Sequence, residues 1–348
     1  MNHLPPVYFY IPQDKFSIQS APHNAEAFWK WLCQHDAISP MASGGFLWTM
    51  QTYLKLNDSG FPCQLVDYLP DEGIIIAHRD FFEHSLKPNP RQLLVCLRAD
   101  VNRHPYAQLH VVQNPHQSIP KKLFSLWQSC FIPHWPQPDI FSRRSDRGNR
   151  FENVVFAGNQ VNLVSELRQP RWYRQLEELG LNFKQQLSHE DRNHYEDTDV
   201  ILAIRKFGTA DEWNGKPGSK LYNAWLAETP IILGYESAFR AERKSELDFL
   251  EATSYEEVVS ALKRLRDNPD LRRKMVANGK IRAQEVNTEQ MVQQWQAFIE
   301  NEAVPAYQQW CGLPRWQQQA FIKLRYLFTN SRPAYYWLKS KVRKLKSA

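Results

Sequence analysis

The chain of 348 residues lacks the short motifs of several large enzyme classes. It contains no G-x-G-x-x-G, G-x-x-x-x-G-K-[ST], G-x-S-x-G or H-E-x-x-H sequence, which argues against the dinucleotide, P-loop, serine-hydrolase and zinc-protease sites that these motifs build. The five cysteines form no C-x-x-C pair, and the eleven histidines have no metal-ligand spacing. No D-x-D motif stands at the end of a predicted strand. We therefore expect reduced thiols and no metal site.

Long hydrophobic runs and a secretory leader are absent as well. No apolar run approaches 18 residues, so no membrane span is predicted, and the opening MNHLPPVYFYIP lacks a basic segment followed by an apolar one. We expect a cytoplasmic protein. Acidic residues are missing from residue 303 onward, where nine Lys or Arg stand. Because the whole chain has a formal net charge of +6 and the tail has +9, residues 1–302 have a net charge of −3. The basic pI of 8.9 therefore arises from the tail and not from the rest of the chain.

The tail contains two basic aromatic segments, Trp316–Phe328 and Ala334–Leu345. In the second, one helical face collects the apolar residues Tyr335, Leu338, Val342 and Leu345. A basic amphipathic helix of this kind can lie on an anionic membrane surface, and it can equally pack back on the N-terminal part of the chain. Both interpretations stay open. Nucleic acid is not an expected partner, because the body is net acidic and carries no nucleic-acid motif.

Short apolar runs alternate with helical patterns along the body of the chain. Ten runs predict strands, at Val7–Ile11, Cys63–Val66, Ile74–Ala77, Leu93–Leu97, Leu109–Gln113, Cys130–Ile132, Val154–Asn159, Phe183–Leu187, Val200–Ile204 and Ile231–Leu233. This alternation predicts an α/β fold with parallel sheets. A polar stretch without periodicity, Asp139–Arg150, separates two halves. We expect one domain over 1–140, a second over 141–302 and the helical tail over 303–348.

The most informative stretch is KPGSKLYNAWLAETPIILG, residues 216–234. Pro217-Gly218 breaks the preceding chain, and Ser219 is predicted to cap a short helix that starts at Lys220. The start of a helix carries unpaired N–H groups and a partial positive charge. With Lys216 and Lys220 beside it, this helix start suits a phosphate or diphosphate.

Further cationic and small residues follow neighbouring predicted strands. Arg205-Lys206 comes directly after the strand Val200–Ile204, and Gly158-Asn159 ends the run that begins at Val154. In open α/β sheets, ligands bind outside the carboxyl ends of the strands. The sequence therefore predicts a cationic phosphate site built from Arg205, Lys206, Lys216, Ser219 and Lys220. The structural alternative is a solvated basic turn.

This half of the chain resembles the donor domain of GT-B-type glycosyltransferases, of the kind found in glycosyltransferase families 1 and 4. The resemblance lies in the Lys-Pro-x-x-Lys-Leu turn at Lys216–Leu221 and the Pro-then-strand segment behind it. In the N-terminal half, Gly44-Gly45 is followed by a predicted helix, then a glycine and then a predicted strand. This order is similar to the start of the N-terminal domain of such enzymes. The resemblance implies two Rossmann-like domains facing a cleft. It also implies a nucleotide-diphosphate sugar as donor substrate, with no further cofactor, contacting Gly44, Gly45, Gly158, Asn159, Arg205, Lys206, Lys216, Ser219, Lys220 and Asn223.

Polar side chains at other strand ends are candidates for the chemistry itself. Three of them follow two predicted strands of the N-terminal half, namely His78, Asp80 and Asp100. They are candidates for contact with an acceptor hydroxyl or for the general base that takes its proton. The alternative is that they form strand-end turns or ion pairs. Glu236 follows the strand Ile231–Leu233 and is a candidate for sugar contact. Asn223 stands where retaining E-x7-E families have their second Glu, with Gly215 eight residues earlier. Neither carboxylate is present, so retaining or inverting stereochemistry stays open.

We therefore predict a metal-independent, hexosyltransferase-like enzyme. It would move a sugar from a nucleotide-diphosphate sugar to a hydroxyl of a glycan, lipid-linked or cell-envelope acceptor, as polysaccharide biosynthesis requires. One alternative is a catalytically inactive GT-B-like protein that binds a sugar nucleotide or glycan. Another is a peripheral membrane scaffold that acts through residues 315–348.

Overall fold

The computed structural model describes residues 4–17, 24–35, 44–120, 127–188, 191–210 and 213–328, with the side chains of residues 29 and 32–35 left aside. Within these ranges the strands form two separate parallel sheets. One has six strands in the order β2-β1-β3-β4-β5-β6, and the other has five in the order β11-β10-β9-β7-β8. The predicted α/β fold with parallel sheets is confirmed.

The six-stranded sheet is covered on both faces. Its strands are β1 (Val7–Tyr10), β2 (Gln64–Val66), β3 (Gly73–His78), β4 (Gln92–Leu97), β5 (Leu109–Val112) and β6 (Gln128–Phe131). Every residue of β3 and β4 is buried, as expected for a parallel sheet between helical layers. The helices α1 (Ala25–His35) and α2 (Gly44–Asp58) precede β2, and α2 packs against β1 and β3.

The five-stranded sheet follows the same plan. Its strands are β7 (Asn153–Ala157), β8 (Asn182–Gln186), β9 (Val200–Ala203), β10 (Ile231–Leu233) and β11 (Leu250–Glu251). The connecting helices are α3 (Pro170–Glu178), α4 (Ser219–Leu226), α5 (Ser237–Glu242), α6 (Tyr255–Asp267) and α7 (Pro269–Ala283). A second apolar core fills the space between this sheet and its helices, with Trp172 and Leu202 fully buried at its centre.

Several boundaries differ from those expected. The helix α4 begins at Ser219 with Gly218 as its N-cap, so Ser219 is the first helical residue rather than the cap. The strand β6 begins at Gln128, two residues before the predicted run Cys130–Ile132. The helix α7 contains Gly279, where a Cβ would come within 3.2 Å of the ring of Trp225, so the two helices α4 and α7 pack closely there.

The chain returns to the six-stranded sheet after α7. The helix α8 (Thr288–Phe298) packs against α2, and Lys55 Nζ donates to Thr288 Oγ1 at 3.0 Å. The helix α9 (Val304–Gly312) and a helical stretch over 315–328 continue along this sheet. Arg325 is buried between the rings of Trp127 and Phe321, 4.1 and 4.2 Å from their centroids. The tail therefore packs on the N-terminal sheet as far as residue 328.

The second basic segment, Ala334–Leu345, lies outside the described residues. Among the residues that are described, no helix combines the length and the apolar character that a membrane crossing needs.

Candidate functional site

The strand order of each sheet fixes where a ligand crevice can form. In an open parallel sheet, that crevice lies at the carboxyl ends of the strands where the order reverses direction. The five-stranded sheet reverses between β7 and β9, and the six-stranded sheet reverses between β1 and β3. Gly158 follows β7 and Arg205 follows β9 closely, while His78 is the last residue of β3. The topology thus brings residues from both halves of the sequence to crevice positions.

A cavity of about 320 Å³ occupies this region and is lined by both halves of the chain. Eight of the predicted donor-site residues line it: Gly44, Gly158, Asn159, Arg205, Lys216, Ser219, Lys220 and Asn223. Gly45 and Lys206 are not among the lining residues, and Lys206 is exposed. Trp135 and Arg192, which the sequence did not single out, also line the cavity. The structure therefore gathers most of the predicted donor residues in one place, and their roles stay predictions.

The start of α4 lies at this cavity. Pro217, Ser219 and Lys220 all line the cavity, and no side chain caps the helix at Gly218. The first N–H groups of an α-helix lack partners within the helix and carry partial positive charge. An anion in the cavity can accept hydrogen bonds from them.

Lys220 is the most perturbed cation of the cavity. Its Nζ donates a hydrogen bond to the carbonyl of Ala157 and lies 5.6 Å from the ring centroid of Phe156. Burial lowers the pKa of Lys220 to about 7, and the nearby Arg205 acts in the same direction. Gly158 makes room for this amine: its φ is +146°, and a Cβ there would lie 2.7 Å from Lys220 Nζ. The positive φ is the main reason why glycine is favoured at this strand end.

Arg205 is held by a buried carboxylate. Its Nη1 donates to Glu236 Oε2, and its Nε donates to Asn162 Oδ1 at 3.4 Å. The Glu236 side chain is only 2% exposed, and Glu236 does not line the cavity. The arrangement indicates that Glu236 orients Arg205. Its predicted contact with the donor sugar stays a prediction.

The loop before α4 is bonded to the N-terminal half. Lys216 Nζ pairs with Asp100 Oδ2. Gln113 Nε2 donates to Gly215 O at 3.0 Å, and Asn114 Nδ2 donates to Lys216 O at 3.2 Å. Burial alone would raise the pKa of Asp100, but the hydrogen bond and charge of Lys216 outweigh it and leave that pKa below its ordinary value. The alternative foreseen for Asp100, an ion pair, is what the structure shows.

These contacts also account for the missing carboxylate at residue 215. A Cβ on Gly215 would lie 3.1 Å from the Cα of Asp100 and 3.3 Å from Gln117 Nε2. A glutamate at this position would have to displace backbone of the N-terminal half, and it would bring a second negative charge next to Asp100. Neither Gln113 nor Gln117 was foreseen, because nothing in the local sequence links residues about a hundred positions apart.

Asn223 anchors the segment that joins the two halves. Its Oδ1 accepts a hydrogen bond from the backbone N–H of Gln137 at 2.9 Å, and its side chain also bonds the buried Tyr195. Burial raises the pKa of Tyr195 above its ordinary value, so the phenol stays protonated at neutral pH. Asn223 therefore holds the linker beside the cavity that it lines.

His78 lies directly beneath the Gly44-Gly45 start of α2. A Cβ on Gly45 would lie 2.6 Å from Cε1 of His78, so only glycine fits there, whereas Gly44 has open space around it. His78 Nδ1 accepts a hydrogen bond from the Asp80 backbone N–H at 3.2 Å, and its buried Nε2 has no hydrogen-bond partner among the described residues. Burial lowers the pKa of His78, against the opposing effect of Asp80 and Asp100. The Asp80 side chain is 67% exposed and 3.6 Å from His78.

Comparison with protein families connects this cavity to a known class. Residues 142–297 match the family model described as "Glycosyl transferase-like". The match covers β7 to the end of α8, and it includes Gly158, Arg205 and the α4 segment that line the cavity. No curated protein matches the sequence.

Several solved structures are similar to this chain. HepE from Anabaena in complex with UDP has a TM-score of 0.45 and 12% identity, covering 71% of this chain and 88% of that one. The pneumococcal O-GlcNAc transferase GtfA in complex with UDP and GlcNAc has a TM-score of 0.44 and 14% identity, over 66% and 56%. Sucrose-phosphate synthase from Thermosynechococcus elongatus has a TM-score of 0.45 and 14% identity, over 76% and 80%.

Proposed function

We propose that the protein is a GT-B glycosyltransferase that moves a sugar from a nucleotide-diphosphate sugar to a hydroxyl acceptor. The match of residues 142–297 to the glycosyl transferase-like family model and the two parallel sheets support this proposal. The observation that carries this proposal is the cavity between the sheets, where Arg205, Lys220 and the uncapped start of α4 converge. The acceptor is a glycan or a lipid-linked glycoconjugate.

Charge stabilisation of the leaving diphosphate is the main task of the donor side. As the bond to the sugar breaks, negative charge grows on the diphosphate, and donors already aimed at it lower the barrier. Arg205 can bond two phosphate oxygens at once, while Lys220 supplies a compact point charge. These cations belong to the protein itself, so the reaction needs no metal ion to neutralise the leaving group.

The acceptor side is formed by the N-terminal half around His78. The Asp80 backbone N–H donates to Nδ1, so the neutral ring carries its proton on Nε2 when this bond is kept. That buried Nε2–H is a hydrogen-bond donor that can orient the acceptor hydroxyl. For His78 to accept the hydroxyl proton as a general base, the ring must give up its bond to Asp80 or use the other tautomer. Asp100, paired with Lys216, is a poorer candidate for the base.

The placement of His78 can be tested without removing its ring. We expect Gly45→Ala to lower kcat by about tenfold or more, since the added methyl group must push the His78 ring away from its position. Gly312→Ala is the control, because it adds the same methyl group at the end of α9, outside the cavity and with no described atom within 4 Å, and it should stay within about twofold. Steady-state kinetics with both variants measure the difference. Equal losses in the two variants would remove His78 from the acceptor site.

The donor is identified by a thermal-shift screen against UDP-, GDP-, CDP- and ADP-sugars, followed by transfer and hydrolysis assays with the stabilising compound. A donor at 100 times its Kd stabilises the folded protein by about 2.7 kcal/mol. Binding followed by turnover supports the enzyme. Binding with neither transfer nor hydrolysis, for a range of hydroxyl acceptors, identifies an inactive sugar-nucleotide-binding protein instead.

We further propose that the chain works at an anionic membrane surface, on the inner face of a membrane, through residues 315–348. The helix over 315–328 buries Arg325 on one side and exposes an apolar stripe on the other, formed by Trp316, Leu324, Leu327 and Phe328. The sequence that follows carries a further six Lys or Arg and no acidic residue. Apolar contact combined with cationic residues favours anionic lipid surfaces.

Vesicle binding tests this surface. We expect the protein to sediment with vesicles containing anionic phospholipid, and not with purely zwitterionic ones. Leu324→Gln with Leu327→Gln should weaken binding by about tenfold, because two apolar side chains then lose their contact with lipid. Tyr68→Ser, which removes an equally exposed aromatic side chain elsewhere, is the control. Unchanged binding of the double variant would exclude this face.

A further inference from the structure

Gln51 of α2 carries a buried polar group without a partner in the described part of the chain. The residue is 6% exposed, and its Oε1 accepts no hydrogen bond from any described residue. Burying an amide oxygen in this way costs free energy, because the bond to water that is lost on folding is not replaced. A buried acceptor of this kind indicates that a bound molecule completes it.

Gln51 lies on the face of α2 that lines the cavity of the proposed donor site. Gly44, Leu47 and Gln51 all line this cavity, and their spacing of three and four residues places them on one side of the helix. Gly44 is exposed, Leu47 is partly buried and Gln51 is almost fully buried. Seven residues span about 10 Å along a helix axis. The face therefore runs from the rim of the cavity inward, with Gln51 at its buried end.

Other polar groups that line the cavity are already bonded within the chain. Asn223 Oδ1 accepts a hydrogen bond from the backbone N–H of Gln137 at 2.9 Å. His134 Nδ1 bonds the backbone carbonyl of Trp135 at 2.8 Å. These bonds hold the wall of the cavity together, whereas the free acceptor of Gln51 is left for a molecule inside it.

The carboxamide of Gln51 selects the kind of group that can bind there. It presents an acceptor oxygen and an NH₂ group with two donors side by side. The oxygens of an ionised diphosphate only accept hydrogen bonds, so they cannot pair with the amide oxygen. A hydroxyl both donates and accepts, and two adjacent hydroxyls can bond the oxygen and the NH₂ group together. Gln51 therefore suits an uncharged ring with adjacent hydroxyls, which is a sugar.

We propose that Gln51 binds two adjacent hydroxyls of the donor sugar and so helps to determine which sugar is transferred. This inference rests on the proposed glycosyl transfer. Arg205 and Lys220 line the same cavity as Gln51, from the other half of the chain. A diphosphate bound to these two cations carries its own sugar, by a covalent bond, into the space that Gln51 lines.

Isothermal titration with UDP-, GDP-, CDP- and ADP-glucose, each compared with its nucleoside diphosphate, tests the proposal. Gln51→Met keeps the length of the side chain and removes its hydrogen bonds. For the nucleotide that binds, we expect this variant to weaken the binding of the glucose form about tenfold, because two hydrogen bonds are lost. The affinity for the nucleoside diphosphate should stay within about twofold. A merely structural role would lower both affinities alike.

The control is Gln290→Met, which makes the same replacement at an exposed position of α8 outside the cavity. It should leave both affinities unchanged. The melting temperature of Gln51→Met without ligand should equal or exceed that of the wild type, because an apolar side chain replaces a buried amide without a partner. Thermal denaturation measures it.

Two outcomes would overturn the inference, and they can be told apart. If no nucleoside diphosphate binds the wild-type protein, the proposed glycosyl transfer fails and this inference fails with it. If the nucleotides bind but Gln51→Met changes the affinity for the glucose form and for the diphosphate equally, or changes neither, the inference alone is wrong. A water molecule or the acceptor would then occupy the position beside Gln51.

Discussion

Replacing Arg205 by glutamine is expected to lower kcat/KM by about a hundredfold to a thousandfold, the range found when one preorganised donor to a developing negative charge is removed. Arg205 follows β9 at the sheet's crossover point, lines the cavity and is held in place by Glu236 and Asn162. Glutamine keeps a polar side chain of similar length but carries no charge. Steady-state kinetics with the identified donor sugar measure the loss.

Stability has to be separated from activity in this variant. Removing one partner of a buried ion pair leaves an uncompensated charge and costs roughly 3–5 kcal/mol, here on Glu236. The double variant Arg205→Gln with Glu236→Gln should recover most of the lost stability and none of the lost activity. Lys206→Gln, next along the chain but exposed and outside the cavity, should stay within about threefold of the wild type. Recovery of activity in the double variant would show that Arg205 acts only on stability.

Lys220→Met is expected to abolish most activity and, at the same time, to stabilise the fold. Burial lowers the pKa of Lys220 to about 7 from 10.5, so the unfolded chain binds a proton that the folded protein holds poorly. At pH 7 this mismatch costs the folded state up to roughly 4 kcal/mol, which methionine avoids. The hydrogen bond to Ala157 is lost, which offsets about 1 kcal/mol. Chemical denaturation at pH 7 measures the net gain.

The pH dependence of that gain gives the sharper test. Between about pH 7 and 10.5 the unfolded state binds more protons than the folded state, so the stability of the wild type rises with pH in this window. The methionine variant has no titrating side chain at position 220, so its stability lacks this dependence on pH. The stability difference between the two proteins should therefore be largest at or below pH 7 and should shrink as the pH rises towards 10. A stability difference that stays constant over this window would mean that folding does not lower the pKa of Lys220.

The fold could be predicted from the sequence because its signals are local. Short apolar runs between turn residues marked most of the strands, since strands buried on both faces need apolar side chains throughout; the polar edge strand β8 is the exception. The strand β11 has only two residues and left no comparable pattern. The start of α4 was misplaced by one residue because serine is the commoner cap, while here Gly218 lies against the ring of Tyr222, where a Cβ would come within 3.1 Å.

Residues of the candidate site could be predicted where their position at a strand end or helix start determines their location in the fold. They could not be predicted where the contact is with a partner that is distant in sequence. Gly158, Arg205 and Lys220 could be found from strand ends and a helix start. The bond between Lys216 and Asp100 joins residues 116 positions apart, and the bond between Arg205 and Glu236 joins residues 31 apart. No sequence period links such pairs. The first pair forms only when the two sheets lie side by side, and the second forms when β9 and β10 pair within one sheet.

The return of the chain to its first sheet limits how the protein can move. The polypeptide passes between the two sheets once ahead of β7 and again at the turn Gln284–Val286, between α7 and α8. Two halves that are joined by two connecting segments cannot move independently, because each connection removes translational freedom. Their easiest motion is a rotation about the line through both connections. Donor uptake and product release should therefore follow one angular coordinate, along which the Asp100–Lys216 bond opens and closes.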